Sequence, residues 1–359
     1  MAKVSEAYVR AGEREVRISS PDRVIYEATE HTPAVTKLMV AQYFAAVGEP
    51  LMRAVGERPT AMERWPSGWR AGMRLATGPF DKGADGFYQK RVPKGAPDYL
   101  ETVRVTFPSG RSAEEMCPTE AAVLVWAAHM GTLTFHPWPV RRADVDHPDE
   151  LRIDLDPQPG TTFSDAVRVA LVAKELCADL GMRAYVKTSG NRGLHVYVRI
   201  EPRWEFPDVR HAAIAFGREL EKRDDQVTTA WWKEERGERI FVDFNQNTRD
   251  RTIASAYSLR PVPGAAVSTP VDWSELERVD NPGAYNLFTV PERLSDGDPW
   301  AGIDEVAHNL QPLLDLWDEH PVELNYPPDH PKMPGEPPRV QPSKKVAAHW
   351  DEAGNRVEG

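Results

Sequence analysis

The segment LRIDLDP, residues 151–157, constrains this chain more than any other. Its alternation is strict, with Leu151, Ile153 and Leu155 on one side and Arg152, Asp154 and Asp156 on the other. A period of two specifies a strand with one buried face. Aspartate is depleted in strands, so propensity does not account for two of them on the polar side. At spacing i, i+2 they stand about 6–7 Å apart at the backbone. Their carboxylates can then reach one hard cation, and an oxygen-only set suits Mg²⁺ or Mn²⁺.

The residues that follow give this strand a setting. Ser164 is placed to cap a helix with Asp165 in its first turn. Val169, Val172, Ala173, Leu176, Cys177 and Leu180 form its apolar stripe, and Gly181 ends it. RAYVKTSG and GLHVYVRI read as two strands joined by a Gly-Asn-Arg-Gly turn. Leu194, Val196 and Val198 take the core side, and His195 and Tyr197 the other. A polar helix is expected over 208–224. ERIFVDFNQN reads as another strand, with Ile240, Val242 and Phe244 on one face and Asp243 on the other. The order strand, helix, hairpin, helix, strand predicts an α+β sheet with helices on one face and an open polar face. If the first and last strands are neighbours, Asp243 joins Asp154 and Asp156. Three carboxylates at one point repel unless a cation neutralises them.

The hairpin turn Ser189–His195 carries its own chemistry. Its glycines leave backbone N–H groups free for phosphate, and Ser189, Arg192 and His195 add donors. No Walker pattern is present, so this is not a P-loop. Taken alone, it also reads as an ordinary turn with an exposed histidine. Arg249, Arg251 and Arg260 follow, the last at the end of the strand-like IASAYSLR. Cys117 and Cys177 read as core residues on helix stripes, and Trp231 and Trp232 as packing residues. His136, in FHPWP, suits packing and a phosphate contact equally.

The remainder bounds the fold. Pro33–Arg53 has a helical apolar pattern, Trp65–Gly86 reads as loops, and GFYQKRVPKGAPDYL as a strand and a Pro/Gly turn. Residues 117–131 suit a second helix, with Thr119 as N-cap and Gly131 as its stop. Seven of the sixteen residues Pro327–Pro342 are proline, which reads as an extended surface tail after a globular part ending near Asn325. No run of 18 apolar residues exists, and the N-terminus lacks an apolar stretch, so neither a membrane span nor a secretory signal is expected. Two cysteines cannot build a disulfide framework or a four-thiolate zinc site, and a cytoplasmic location follows. Net charge is -11, but residues 1–111 carry 17 Lys and Arg against 13 Asp and Glu. An acidic total therefore does not exclude a nucleic-acid partner.

In this order and spacing, HPDELRIDLDP, TSGNRGLHVYV, IFVDFNQN and AYSLRP resemble the archaeo-eukaryotic primase superfamily. More narrowly, the chain is similar to the polymerase domain of bacterial ligase D, and to the stand-alone actinobacterial primase-polymerases, primase-polymerase C in particular. SSPDRVIY, GFYQKRVPKGAPDYL and LTFHPWPVRRADVDHPDE extend the likeness to roughly residues 15–315. The resemblance implies an RRM-like catalytic antiparallel sheet, a second N-terminal sheet, and helices packed outside. It implies one domain over 1–325. Within it, a DNA- and 5′-phosphate-binding part covers about 1–145, a catalytic core about 146–265 and an extension 266–325. A partly disordered tail over 326–359 follows.

The resemblance also implies roles. Asp154, Asp156 and Asp243 would hold two Mn²⁺ (or Mg²⁺) ions. Ser189, Gly190, Arg192, His195, Arg260 and His136 would bind the nucleoside triphosphate. Arg23, in SSPDRV, and Lys37 would bind a DNA 5′-phosphate. The implied enzyme is a template-directed nucleotidyltransferase that fills short gaps or extends ends in bacterial DNA repair, with ribonucleotides preferred. Its substrates would be gapped or 5′-phosphorylated DNA and NTP or dNTP. Ligase and end-binding or base-excision repair proteins would act in trans, and the chain would be a nucleoid-associated monomer. Residues 73–85 depart from the family pattern as an insertion. Two rival readings share the aspartates: a two-metal phosphodiesterase or nuclease, and a non-catalytic DNA-end-binding module.

Overall fold

The computed structural model describes residues 5–76, 81 and 83–338. Of the insertion expected over 73–85, residues 77–80 and 82 lie outside these, as does the tail after Pro338. The N-terminal half opens with the hairpin β1 (Glu6–Ala11) and β2 (Arg14–Ser19) and the ribbon β3 (Val24–Tyr26) and β4 (Val35–Thr36). Its main sheet contains β5 (Thr60–Arg64), β6 (Phe87–Gln89), β7 (Glu101–Thr106), β8 (Ser112–Cys117) and β9 (Thr132–Pro137). A second sheet has the order β13-β14-β10-β12-β11-β15. Its strands are β10 (Glu150–Pro157), β11 (Ala184–Thr188), β12 (Leu194–Arg199), β13 (Val227–Thr228), β14 (Ile240–Val242) and β15 (Pro270–Val271). Among the described strands of this sheet, only β13 and β14 pair in parallel. This is an α+β arrangement whose two main sheets are those the resemblance implies.

Helices α1 (Lys37–Ala46), α2 (Gly48–Val55) and α3 (Ala121–His129) pack with the hairpin against the first sheet. Helices α4 (Phe163–Asp179) and α5 (Phe206–Arg223) cover one face of the second. Leu151, Ile153, Leu155, Leu194, Val196 and Val198 are fully buried beneath them, as the alternation requires. The opposite face is not open. Tyr185 and Tyr197 belong to the N-terminal core, and Arg152 and Lys187 are buried. The second sheet is therefore sandwiched, and its polar face is a cleft wall between the two halves.

Local corrections have local causes. The helical pattern over Pro33–Arg53 breaks at Val47, because Pro50 has no N–H and its ring would clash with a preceding carbonyl. The cap of α4 is Thr162, not Ser164; its hydroxyl accepts from Asp165 N and the Asp165 carboxylate accepts from Thr162 N. Helix α3 begins at Ala121 after Glu120, not at Thr119, because β8 runs on to Cys117. Cys117 is buried, but on a strand. IASAYSLR is buried irregular chain, with Tyr257 at φ 61°. The proline-rich stretch packs as far as Pro338: Tyr326, His330 and Glu336 are buried, and Asn325 donates to the Pro338 carbonyl at 3.3 Å. Among the described residues no helix is long and apolar enough to cross a membrane.

Candidate active site

Strand β10 brings Asp154 and Asp156 to the cleft. Asp154 lies opposite His195 on β12, and Leu155 opposite Val242 on β14. The strand ends at Val242, so Asp243 is one residue beyond it, at the N-terminus of the 3₁₀ turn Phe244–Asn247. Its N–H donates to the Asp154 carbonyl at 3.0 Å. Its carboxylate accepts from Asn245 N at 3.1 Å and Gln246 Nε2 at 2.8 Å. Expected as the outward residue of a continuing strand, Asp243 is instead a cap, and the cap still holds it beside β10.

These carboxylates lack enough positive charge. Burial, opposed by Lys187 and Arg260, pushes Asp154 up to about 6. Burial and the Asp154 charge push Asp243 up to about 6. Asp156, against Gln158 Nε2 at 3.0 Å, is raised by burial and by Asp154. Among the described residues no three His, Cys, Asp or Glu groups close tightly enough to enclose an ion. The aspartates border the cleft rather than meet at one point. An oxygen-only donor set whose members disfavour each other's ionisation fits a hard divalent cation.

The Ser189–His195 turn lies directly over this strand. A Cβ on Gly193 would stand 2.6 Å from the Leu155 carbonyl oxygen, so only glycine lets the turn approach β10 this closely. Ser189 Oγ accepts from Gly193 N at 3.0 Å and Asn191 N at 3.2 Å, which shapes the loop. Gly190 has φ 70°, and a Cβ there would meet Arg260 Cγ at 2.5 Å. Arg260 thus lies along the turn, and its buried Nε makes no hydrogen bond among the described residues. A buried donor without an acceptor is costly, and an anion would satisfy it. Exposed Arg192 acts on Asp156 from the solvent side. His195 Nε2 stands 3.3 Å from Asp154 Oδ1.

His136, on β9, reaches the same region through the first sheet. Its Nε2 is 3.0 Å from Glu63 Oε2, whose other oxygen accepts from Trp65 Nε1 at 3.0 Å. Burial lowers His136, against the pull of Glu63, and Arg260 and Lys187 lower it further. Arg23 and Lys37 meet in a separate cavity of about 210 Å³, with Ser19, Arg64 and His129 also in its lining and no acidic side chain. Burial and Arg23 bring Lys37 down to about 8, and burial and Lys37 bring His129 to about 4. Excess positive charge in a small cavity is a site for an anion.

Five residues of these sites carry no motif signal: Lys187, Arg236, Glu63, Arg64 and His129. Arg236 opposes the charge of Asp243 and Asp156 while its guanidinium stacks 3.4 Å from the Phe241 ring centre. Lys187 pairs with His195 in the hairpin register. Extending that register outward from the turn would have found it. Arg64 and His129 come from elements that approach only in three dimensions.

A family model described as LigD, primase-polymerase domain, matches residues 36–300. The multifunctional non-homologous end joining protein LigD of Pseudomonas aeruginosa is 30% identical over 304 residues, covering 83% of this chain and 34% of that protein. The bifunctional non-homologous end joining protein LigD of Bacillus subtilis is 26% identical over 281 residues, covering 78% and 42%. The chain thus spans well under half the length of these relatives. Among solved structures, the polymerase domain of Mycobacterium tuberculosis ligase D in complex with DNA matches with a TM-score of 0.70 and 28% identity. The match covers 82% of this chain and 99% of that one. With a family model matched over most of its length, the chain belongs to the LigD primase-polymerase domain family.

Proposed function

We propose that this chain is a metal-dependent, template-directed nucleotidyltransferase that fills short gaps or extends ends in DNA repair. The observation that carries the reading is the seating of the Ser189–His195 turn on the strand that bears Asp154 and Asp156, with Arg260 lying along that turn. One cleft thereby offers acids for cations and donors for a triphosphate. Asp154, Asp156 and Asp243 would hold Mn²⁺ or Mg²⁺, two ions in all. Divalent ions there would lower the pKa of a primer 3′-hydroxyl and offset the charge of departing pyrophosphate.

The chain's own groups position the reactants. Ser189, Gly190, Arg192 and His195 line the turn, and the unpaired Nε of Arg260 is a donor in wait for an anion. His136, held by Glu63, borders the same space. Such preorganised donors act where charge develops. Arg23 and Lys37 would bind a 5′-phosphate across a gap or at an end. The acid-free lining of their cavity supports that assignment. Ribonucleotides are the preferred substrate in this reading. In this reading ligase and end-binding or base-excision repair proteins act on the DNA that a monomer has extended. Action on DNA ends has further support in the names of the LigD relatives.

The test is primer extension across a one- to three-nucleotide gap with a 5′-phosphate, in Mn²⁺, with ribo- or deoxyribonucleotides. Templated addition that Asp154→Ala/Asp156→Ala abolishes is expected. Shortened DNA without addition would instead establish a nuclease, and binding without change to either strand an end-binding module.

A further inference from the structure

We infer that the segment Val322–Pro338 belongs to the framework of the cleft: through Arg210 and Asn245 it fixes the turn that presents Asp243 to a metal ion. Arg210 and Asn245 are then positioning residues, and the inference rests on the reading of Asp243 as a metal ligand. The family model ends at residue 300, so this segment lies beyond it. The link is a fully buried guanidinium, that of Arg210 on α5. On the segment's side its Nη1 donates to Glu323, and its Nη2 donates to the Leu324 carbonyl at 2.8 Å and the Asn325 carbonyl at 3.2 Å. Its carbon stands 3.7 Å from the Tyr326 ring centre. On the cleft's side its Nε donates to Asn245 Oδ1 at 2.8 Å. Asn245 Nδ2 donates in turn to the Asn325 carbonyl at 2.9 Å. A guanidinium only donates and a carbonyl only accepts, so these two partners fix which way the Asn245 amide points.

Asn245 also holds Asp243, whose carboxylate accepts from its backbone N–H at 3.1 Å. One residue thus meets the carboxylate with its main chain and the segment with its side chain. The end of the same turn is tied to β10. Asn247 Oδ1 accepts from Arg152 N at 2.9 Å, and Asn247 Nδ2 donates to the Arg152 carbonyl at 2.7 Å. Shifting the turn would break hydrogen bonds of buried groups, which is costly. The segment is closed on itself as well: Glu336 accepts from Tyr326 N at 2.8 Å and from Met333 N at 3.0 Å. Asp243 lies one residue past the end of β14, so the turn sets where its carboxylate stands. A small hard cation tolerates little error in the placing of its oxygens, and the segment removes that freedom.

The test is the affinity of the full chain for Mn²⁺ alone, read from the electron paramagnetic resonance signal of the unbound ion, well below each variant's melting temperature. Asp243→Asn should weaken binding; an unchanged affinity there removes the ligand reading and this inference with it. Asn245→Ala keeps the backbone N–H on Asp243 and loses both side-chain links, and it should weaken binding about tenfold. Glu323→Ala, on the segment, should weaken it in the same direction by less. Glu323→Gln keeps an acceptor for Arg210 and should recover part of that loss. Arg58→Met, destabilised away from the turn, should bind Mn²⁺ as the wild type does. Wild-type affinity in Asn245→Ala and Glu323→Ala, beside a weakened Asp243→Asn, overturns the inference and leaves the ligand reading intact. An equal loss in Arg58→Met overturns it too, since stability alone would then set the affinity. If Asn245→Ala does not fold, the two Glu323 variants decide.

Discussion

The two ends of strand β10 treat their carboxylates in opposite ways. At its start, Asp149 and Glu150 meet a cage of arginines. Arg58 bonds Asp149 at 2.5 and 2.8 Å, Arg199 bonds Glu150 at 2.7 Å, and Arg152 bonds Glu150 at 2.6 Å. Burial pushes both acids up, but Arg58 and its neighbours outweigh it and hold both below their ordinary values. Four residues further on, the only cations that oppose the burial of Asp154 are Lys187 and Arg260, and burial wins. Matched charge at the first end joins the two halves of the molecule, since Arg58 precedes β5 and Glu150 opens β10. Unmatched charge at the second end leaves a demand that an added cation can meet.

The sharpest way to break this comparison is to neutralise each end in turn. Asp154→Ala/Asp156→Ala should reduce nucleotide addition by about 10³-fold or more. Its melting temperature without metal should be equal or higher, because like charges have been removed from one cleft. Millimolar Mn²⁺ should raise the melting temperature of the wild type by binding linkage and leave the double variant unmoved. Thermal melts with and without Mn²⁺ read both effects, and a variant stabilised by Mn²⁺ as much as the wild type would count against the metal assignment.

At the other end the effect falls on stability. Arg58→Met leaves Asp149 and Glu150 short of a buried partner, and breaking such a pair costs about 3–5 kcal/mol. Urea unfolding at neutral pH measures the loss, while Mn²⁺ stabilisation of the folded fraction should persist. Acid should expose the same pairing in the wild type. Asp149 and Glu150 have folded pKa values below their unfolded ones. Their contribution is full above the ordinary carboxylate range near pH 4 and is lost as pH falls below it. Urea midpoints from pH 6 to pH 3 should drop steeply, and less steeply in Asp149→Asn.

The contrast was half legible in the sequence. Alternation in LRIDLDP and GLHVYVRI fixes which side chains enter the core, because a period of two leaves no other choice. It therefore located Asp154 and His195 correctly relative to the sheet. It carried no information on what covers the polar face, so Lys187 and Arg152 could not be seen as buried. Asp243 is a cap and not an outward strand residue, a difference that VDF does not encode. Arg23 and Lys37 came from resemblance alone. The cavity that joins them to Arg64 and His129 depends on β2, α1, β5 and α3 meeting, which no local pattern encodes.

Another buried carboxylate separates burial from both kinds of use. Glu115, on β8, is fully buried, and one oxygen accepts from Trp138 Nε1 at 3.1 Å while the other has no partner among the described residues. Burial pushes it up to about 8, against the pull of Lys90. It lies neither in the arginine cage nor in the cleft. Its folded pKa exceeds its unfolded one, so the native state binds the extra proton and stability declines as pH rises from about 4.5 to about 8. Glu115→Gln keeps an acceptor for Trp138 and has no charge to bury. It should gain about 1–2 kcal/mol at pH 8 and almost nothing at pH 4.5, with nucleotide addition unchanged. Equal urea midpoints for variant and wild type at pH 8 would mean that Lys90 already compensates Glu115, which would move it into the class of Glu150.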